Sequence, residues 1–279
     1  ICQEMGRKFK ISFSSSDEDT ALSYLHDLGF IPKIVNGERG FKVMLGGGLG
    51  SQPIHAEILS DFIPVNQIVP TAEGIIRVFD RHGERNKRMK ARMKFLIKDI
   101  GKEAFLELVE KEKKAIAFET YEIDITGFEE AIPEPLLEVP KVTIADTAAY
   151  ETWKASNVIR QKQKGYVAIG IKVLLGDFYT DKARVLADLI KNYAANELRF
   201  SLRQNIVIRN VKEENLPFFY QELAKLDMVA LGYNSTADIT ACPGTDTCNL
   251  GIASSTGIAE ELEKVIEAEY PQYKNNSEI

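Results

Sequence analysis

Three prolines within eight residues decide how this chain can be divided. Between Phe128 and Pro140 the sequence reads FEEAIPEPLLEVP, and Pro133, Pro135 and Pro140 forbid a continuous helix or a central strand there. Proline and acid dominate the stretch, which therefore reads as a linker with folded material on either side. At 279 residues the chain suits two domains better than one, and 44% hydrophobic with 27% charged residues is globular composition.

Upstream of the linker, Arg7 to Phe13 (RKFKISF) alternates strictly. Phe9, Ile11 and Phe13 share one face and Lys8, Lys10 and Ser12 the other, the pattern of a half-buried strand. A helix is expected over Asp17 to Leu28, closing on Gly29. A second strand over Gly40 to Leu45 runs into GGGLG (Gly46 to Gly50), followed by a short helix over about Ile54 to Phe62. Two or three further helices are expected, with Gly83 and Gly101 as C-caps.

Downstream, Tyr166 to Leu175 is apolar and branched enough for a buried strand, and Asp181 to Ala195 has helical periodicity. Glu197 to Val211 reads as a strand pair or one long strand, and Glu213 to Leu226 as a helix. This strand–helix–strand–helix run is half of a ferredoxin-like sandwich. A last helix over about Ile258 to Tyr270 sets Ile258, Leu262, Val265 and Ile266 on one stripe.

A formal net charge of -6 argues against nucleic acid as a partner held by bulk charge. No apolar run approaches the roughly 18 residues that cross a bilayer, and ICQEMGRKFK lacks the apolar core of a signal peptide. Three cysteines make no disulfide framework, so the expected setting is reducing and cytoplasmic, with no membrane partner. The chain opens without methionine, almost at once on a strand, and ends in the polar tail KNNSEI. Both features are expected of a piece of something larger.

Four stretches could carry chemistry. In TACPGTDTCNLG, Cys242 and Cys248 stand in a turn before a helix, where loop amides and the helix start favour thiolates. The spacing fits zinc knuckles poorly, and on spacing alone a reduced pair without a metal is an even alternative. Lys8 and Lys10 leave one strand face about 6.5–7 Å apart and could flank a small anion and give it protons, or simply be solvated. GGGLG has the wrong spacing for a dinucleotide site, yet lets backbone approach a flat ligand and offer amides to its carboxylates. Arg77, Arg81, Arg85, Arg88 and Arg92 would form one stripe on a continuous helix, which Gly83 is expected to split. Trp153 and the three histidines form no ligand spacing.

Taken in order, RKFKISF, GFKVMLGGGLG, DRHGERNKRMKARMKFLI and ELRFSLRQNIVIRNV followed by ACPGTDTCNLGIASS resemble the siroheme-dependent nitrite and sulfite reductases across almost the whole chain. The resemblance implies an α+β fold. A mixed-sheet siroheme/4Fe–4S-type domain would occupy 1–135, a linker 136–160, a ferredoxin-like half-domain 161–232, and the start of a second reductase domain 233–279. It implies two cofactors, siroheme and a 4Fe–4S cluster held by C-x5-C and a later C-x3-C, one cysteine of which bridges to the siroheme iron. Cys242 and Cys248 match the first pair, and no cysteine follows them here. It further implies that Lys8 and Lys10 line the anion pocket over the siroheme and deliver protons. Gly46, Gly47 and Gly48 would contact the macrocycle, Arg7 one of its carboxylates, and Arg203 its periphery.

The implied reaction is a six-electron reduction of sulfite to sulfide or nitrite to ammonium. The implied electron donor is a ferredoxin or a reductase flavoprotein. These residues do not separate the two anions, and family frequency leans to sulfite. With half the cluster ligands and without the upstream half-domain, this chain alone is expected to hold neither cofactor and to be inactive. The rival readings are a non-catalytic ferredoxin-like scaffold or binding module, and a zinc site shared between two chains that each supply Cys242 and Cys248.

Overall fold

The computed structural model describes residues 4–50, 52–124, 126, 132–249 and 251–273. The chain separates into two compact units, Ile1–Glu129 and Glu130–Ile279, so the division falls inside the proline- and acid-rich stretch. Residues 128–131 of that stretch, Cys2 and the tail 274–279 lie outside the described residues.

The first unit is a four-stranded sheet in the order β1-β2-β3-β4, formed by β1 (Ile11–Phe13), β2 (Leu28–Val35), β3 (Glu38–Leu45) and β4 (Glu57–Pro64). β1 pairs parallel to β2 and the other pairs are antiparallel, so the sheet is mixed. The β2–β3 hairpin closes on Asn36 and Gly37, both at positive φ (51° and 85°), the backbone a two-residue hairpin loop requires. Helices α1 (Ile68–His82), α2 (Met93–Ile100) and α3 (Lys102–Lys114) cover one face. Phe30, Val43 and Leu45 of the sheet meet Ile75, Val78, Met93, Phe105 and Val109 there. The breaks at Gly83 and Gly101 fall as expected, at the C-caps of α1 and α2.

Three local expectations fail in this unit. No helix spans Asp17 to Leu28, which holds only a 3-10 turn at Ser23–Leu25 before β2 begins. Asp19 and Leu22 adopt left-handed backbone (φ 53° and 52°), and the Asp19 carboxylate accepts the Ser23 amide at 2.9 Å. A short polar side chain has out-competed the helical backbone. The helix expected over Ile54 to Phe62 is instead strand β4, because pairing with β3 satisfies a run of branched and aromatic residues that fits either period.

The strand at Arg7 to Phe13 shrinks to three paired residues. Phe9 packs on Phe79 and Phe13 stacks on Phe30 at 4.8 Å, so the alternation is real. The helices nonetheless leave Phe13 and Ile11 exposed (55% and 39%), while Ser12 is buried with its hydroxyl 3.2 Å from that of Ser23.

The second unit carries an antiparallel sheet in the order β5-β6-β8-β7, from β5 (Val158–Arg160), β6 (Tyr166–Ile171), β7 (Leu198–Phe200) and β8 (Ile206–Lys212). Helices α5 (Thr180–Tyr193) and α6 (Leu216–Lys225) complete the expected ferredoxin-like half-domain. Their Leu186, Leu189, Ile190, Phe219 and Leu223 join Ile169, Ile171, Ile206 and Ile208 in one core. Residues 136–160, expected to be a connector, hold helix α4 (Thr147–Asn157), and Val139, Val142 and Ile144 pack on the same core. The overlooked signal is Asp146, whose carboxylate caps α4 by accepting the Ala149 amide at 2.9 Å. Asn157, fully buried, donates to the carbonyls of Gly170 and Ala230.

Helix α7 (Ser255–Glu269) follows the cysteine turn, yet its stripe of Ile258, Leu262 and Val265 lies exposed, and Ala259 is its one buried residue. No helix among the described residues is long and apolar enough to cross a membrane.

Trp153 of α4 is buried between Tyr150 and Tyr220. Trp153→Ala is expected to cost about 3–5 kcal/mol of the second unit's stability. Urea denaturation followed by circular dichroism checks this, since Trp153 is the chain's one tryptophan.

Candidate functional site

In the first unit the site is organised around Asp27, a carboxylate with no exposure to solvent. It sits where the 3-10 turn gives way to β2, beside the residues that lead into β1. One of its oxygens accepts the backbone amide of Lys10 at 2.9 Å and the Arg92 Nη2 at 2.8 Å, and the other accepts Arg92 Nε at 3.2 Å. Burial pushes the Asp27 carboxyl above its usual range, opposed by Arg92 and by the Lys10 amide.

The glycine loop packs against the same group. Gly46 and Gly47 donate their amides to the carbonyls of Asp27 and His26 at 2.8 and 2.9 Å, and Gly48 pairs with Ile54. A side chain at Gly47 would stand 2.5 Å from the Tyr24 carbonyl oxygen, and one at Gly48 would stand 3.1 Å from Arg92 Nη2. The expectation that these amides serve a ligand's carboxylates is therefore corrected. All three are already bonded to backbone, and what the glycines supply is close approach.

Lys94, almost wholly buried, closes the loop from beneath. Its ammonium donates to the carbonyls of Gly48 (3.2 Å), Leu49 (3.1 Å) and Gln52 (2.5 Å). Burial, with Arg92 nearby, lowers its pKa.

Lys10, Arg92 and Lys94 thus share one buried carboxylate, which leaves the neighbourhood positively charged. Lys8 and Lys10 expose their side chains, and among the described residues neither makes an ion pair. The Lys10 ammonium is held below the ordinary lysine pKa by partial burial, then by Lys8 and Arg92, with Asp27 pulling the other way. Arg7 is half-buried, and its Nε is enclosed without a hydrogen-bond partner among the described residues.

The arginine stripe does not form. Arg77 pairs with Glu73, Arg81 with Glu112 and Arg85 with Asp80, each at 2.6 Å, while Arg88 is exposed on a 3-10 turn. Arg92 alone of the five joins Asp27. Sequence reasoning missed Asp27 outright and left Lys94 undistinguished in a basic run. The one available hint was a lysine flanked by Met93 and Phe95 at a helix start.

In the second unit Cys242 and Cys248 are exposed free thiols. The loop between them is closed by Cys248 donating to the Gly244 carbonyl at 2.9 Å. Gly244 (φ 56°) and Gly251 pack backbone against backbone, where a side chain on either would clash. Ser254 then caps α7, and Cys242 Sγ lies 3.4 Å from the Ser255 hydroxyl. That hydroxyl and the Gly244 amide hold the Cys242 thiol below its ordinary pKa. The described residues contain no group of three or more His, Cys, Asp or Glu side chains placed to hold a metal, so the loop offers a pair of donors. Arg203 is half-buried in the β7–β8 turn, and among the described residues its guanidinium pairs with no acid.

Residues 3–116 match the family model described as the nitrite and sulphite reductase 4Fe-4S domain, and residues 159–226 match that of the nitrite/sulfite reductase ferredoxin-like half domain. The chain is 25% identical over 268 residues to a chloroplastic ferredoxin–nitrite reductase of Oryza sativa, covering 93% of this chain and 41% of the relative. It is 28% identical over 258 residues to an assimilatory ferredoxin-dependent nitrite reductase of Haloferax mediterranei, covering 90% and 42%. It is 25% identical over 268 residues to a ferredoxin-type sulfite reductase of Mycolicibacterium paratuberculosis, covering 94% and 43%. The solved structure of the Mycobacterium tuberculosis NirA protein aligns with a TM-score of 0.69 at 26% identity, covering 96% of this chain and 46% of that one. The chain therefore spans under half the length of each of these relatives.

Because partial burial, and then Lys8 and Arg92, disfavour the protonated form of Lys10, Lys10 is expected to lose its proton at a lower pH than a free lysine. Removing the Lys8 charge in Lys8→Ala should move the titration part of the way back up. NMR of reductively 13C-methylated lysines, titrated through the alkaline range, reads both.

Proposed function

The chain belongs to the siroheme-dependent nitrite and sulfite reductase family, and from that premise we propose that it forms part of an enzyme reducing nitrite or sulfite by six electrons. The observation that carries the reading is the exposed, unpaired Lys8–Lys10 pair beside the Asp27–Arg92–Lys94 cluster.

The residues present suit both groups that the family implies. The enclosed, unpartnered Arg7 Nε suits a carboxylate of the macrocycle, and the tightly packed glycine loop lets a flat ligand come close. Arg7 and Gly46 to Gly48 would hold siroheme, leaving Lys8 and Lys10 to the substrate anion. Cys242 and Cys248 suit iron in kind, being exposed thiols of which Cys242 is shifted toward thiolate. They supply two of the four thiolates such clusters take. When bound, siroheme supplies iron that takes the anion through nitrogen or sulfur, and the cluster supplies electrons.

The chain's own residues manage charge and protons. Each substrate oxygen that leaves as water consumes two protons, so the reaction needs donors at the oxygens as well as cations to hold the anion. Lys8 and Lys10 can do both, and the lowered pKa of Lys10 makes it the readier donor. Asp27 holds the Lys10 backbone and leaves both ammonium groups free for substrate. The named relatives use ferredoxin, which supports a ferredoxin as electron donor. Nitrite- and sulfite-reducing relatives stand at the same 25% identity, so both anions remain within the proposal.

In the siroheme-loaded enzyme that contains this chain, Lys10→Ala is expected to lower kcat by about 10²–10⁴-fold with siroheme absorbance retained. A fully active Lys8→Ala/Lys10→Ala double variant would sink the proposal. Separately, the 279-residue chain purified anaerobically is expected to carry well below stoichiometric iron and labile sulfide. Iron and sulfide assays against protein concentration decide that point.

A further inference from the structure

The turn joining β7 to β8 does more than reverse the chain. Ser201 closes it, its hydroxyl accepting the amides of Arg203 and Asn205 at 3.2 Å each while its own amide donates to the Asn205 carbonyl at 2.8 Å. Gln204 is forced into left-handed backbone (φ 65°), a conformation that a residue with a long side chain rarely adopts. Gly176 lies under it, and a side chain there would reach within 3.2 Å of Gln204 Cβ.

The strained turn aims two side-chain amides at one distant segment. Gln204 Nε2 donates to the Ala241 carbonyl at 2.8 Å, and the Ala241 amide donates back to Gln204 Oε1 at 3.0 Å. One side chain thereby satisfies both backbone groups of the residue that precedes Cys242, as a neighbouring strand would. Asn205, fully buried, accepts the Val173 amide and donates to the buried carboxylate of Asp238, which also takes the Asn234 amide. The segment 234–241 has no strand or helix of its own, so these bonds fix it to the sheet.

We propose that Gln204 is a positioning residue for the Cys242 thiol. By locking Ala241 it sets where Cys242 stands relative to Cys248, whose place is fixed by the Gly244–Gly251 contact and by α7. The inference rests on the reading of Cys242 and Cys248 as metal donors.

Cobalt(II) serves as the probe, added anaerobically to the reduced chain, because thiolate ligation produces a charge-transfer band. The wild-type chain should show the band. Gln204→Leu should weaken cobalt affinity by about 10–100-fold, the usual effect of losing a partner that orients a ligand. The Ala241 amide should also exchange with deuterium about tenfold faster or more, its hydrogen bond being lost. Gln204→Glu keeps the acceptor for the Ala241 amide and should fall between, which guards against a Leu variant that misfolds. Gln221→Leu loses a side-chain bond to the Thr143 carbonyl and should match wild type in both readouts. A wild-type band with unchanged affinity and exchange in Gln204→Leu overturns this inference alone. A wild-type chain without the band overturns the donor reading and this inference with it.

Discussion

A carboxylate with no solvent contact must be compensated on the spot, and the first unit is arranged around meeting that demand at Asp27. Arg92 supplies two hydrogen bonds from the start of α2, and the Lys10 amide supplies a third from the chain entering β1. The backbone of the same residue accepts the amide of Gly46. Three segments far apart in sequence are thereby tied to one short stretch. Arg92 alone balances the one negative charge, so Lys94 beneath the glycine loop and the ammonium groups of Lys8 and Lys10 are surplus. The surplus is what makes the surface at Lys8 and Lys10 suited to anions.

The irregular segments to which chemistry is assigned by proposal are held by the same device in both units. Lys94 bonds three carbonyls of the glycine loop, and Gln204 bonds both backbone groups of Ala241. Loops cannot bury backbone polar groups without partners, and a side chain that reaches across the fold supplies them. Such a clamp also rigidifies, which an exposed thiol or ammonium needs if it is to meet a ligand in one place. Gln204 carries no such signal in sequence, and Lys94 carries one only in its place between Met93 and Phe95.

Where one period dominated, the sequence was legible. In the second unit β6, β7, β8, α5 and α6 followed from branched apolar runs and 3.6-residue stripes, because burial against one core selects those patterns, whereas α4 and β5 lay inside the expected connector. Asp17 to Leu28 misled because its helical spacing yields to local bonds from Asp19, and β4 misled because its residues suit either period. The order of short motifs pointed to the family, and the glycine loop's amides were misjudged because their partners, His26 and Asp27, come from a turn the sequence reading made a helix. Exposure was the other blind spot. Phe13 and the α7 stripe have the alternation or periodicity of buried faces, yet among the described residues no element of their own unit covers them.

The proposed chemistry draws on one tension at Lys10. An ammonium that binds an anion best is fully charged, whereas one that gives up its proton readily has a lowered pKa. Partial burial and two neighbouring cations move Lys10 toward the second role, and Asp27 restrains the shift without neutralising the side chain, because it bonds the Lys10 backbone and Arg92 instead. Lys8 is exposed and among the described residues pairs with no acid, which leaves its ammonium open to the anion. An arrival of negative charge above the pair stabilises both protonated forms, so substrate binding itself would raise the charge that holds it. Departure of an oxygen as water would then relieve it. This coupling depends on the substrate's charge and its transferable oxygens. Nitrite, a monoanion with two oxygens, and sulfite, a dianion with three when fully deprotonated, differ in both, so charge and proton demand as well as shape bear on discrimination between them.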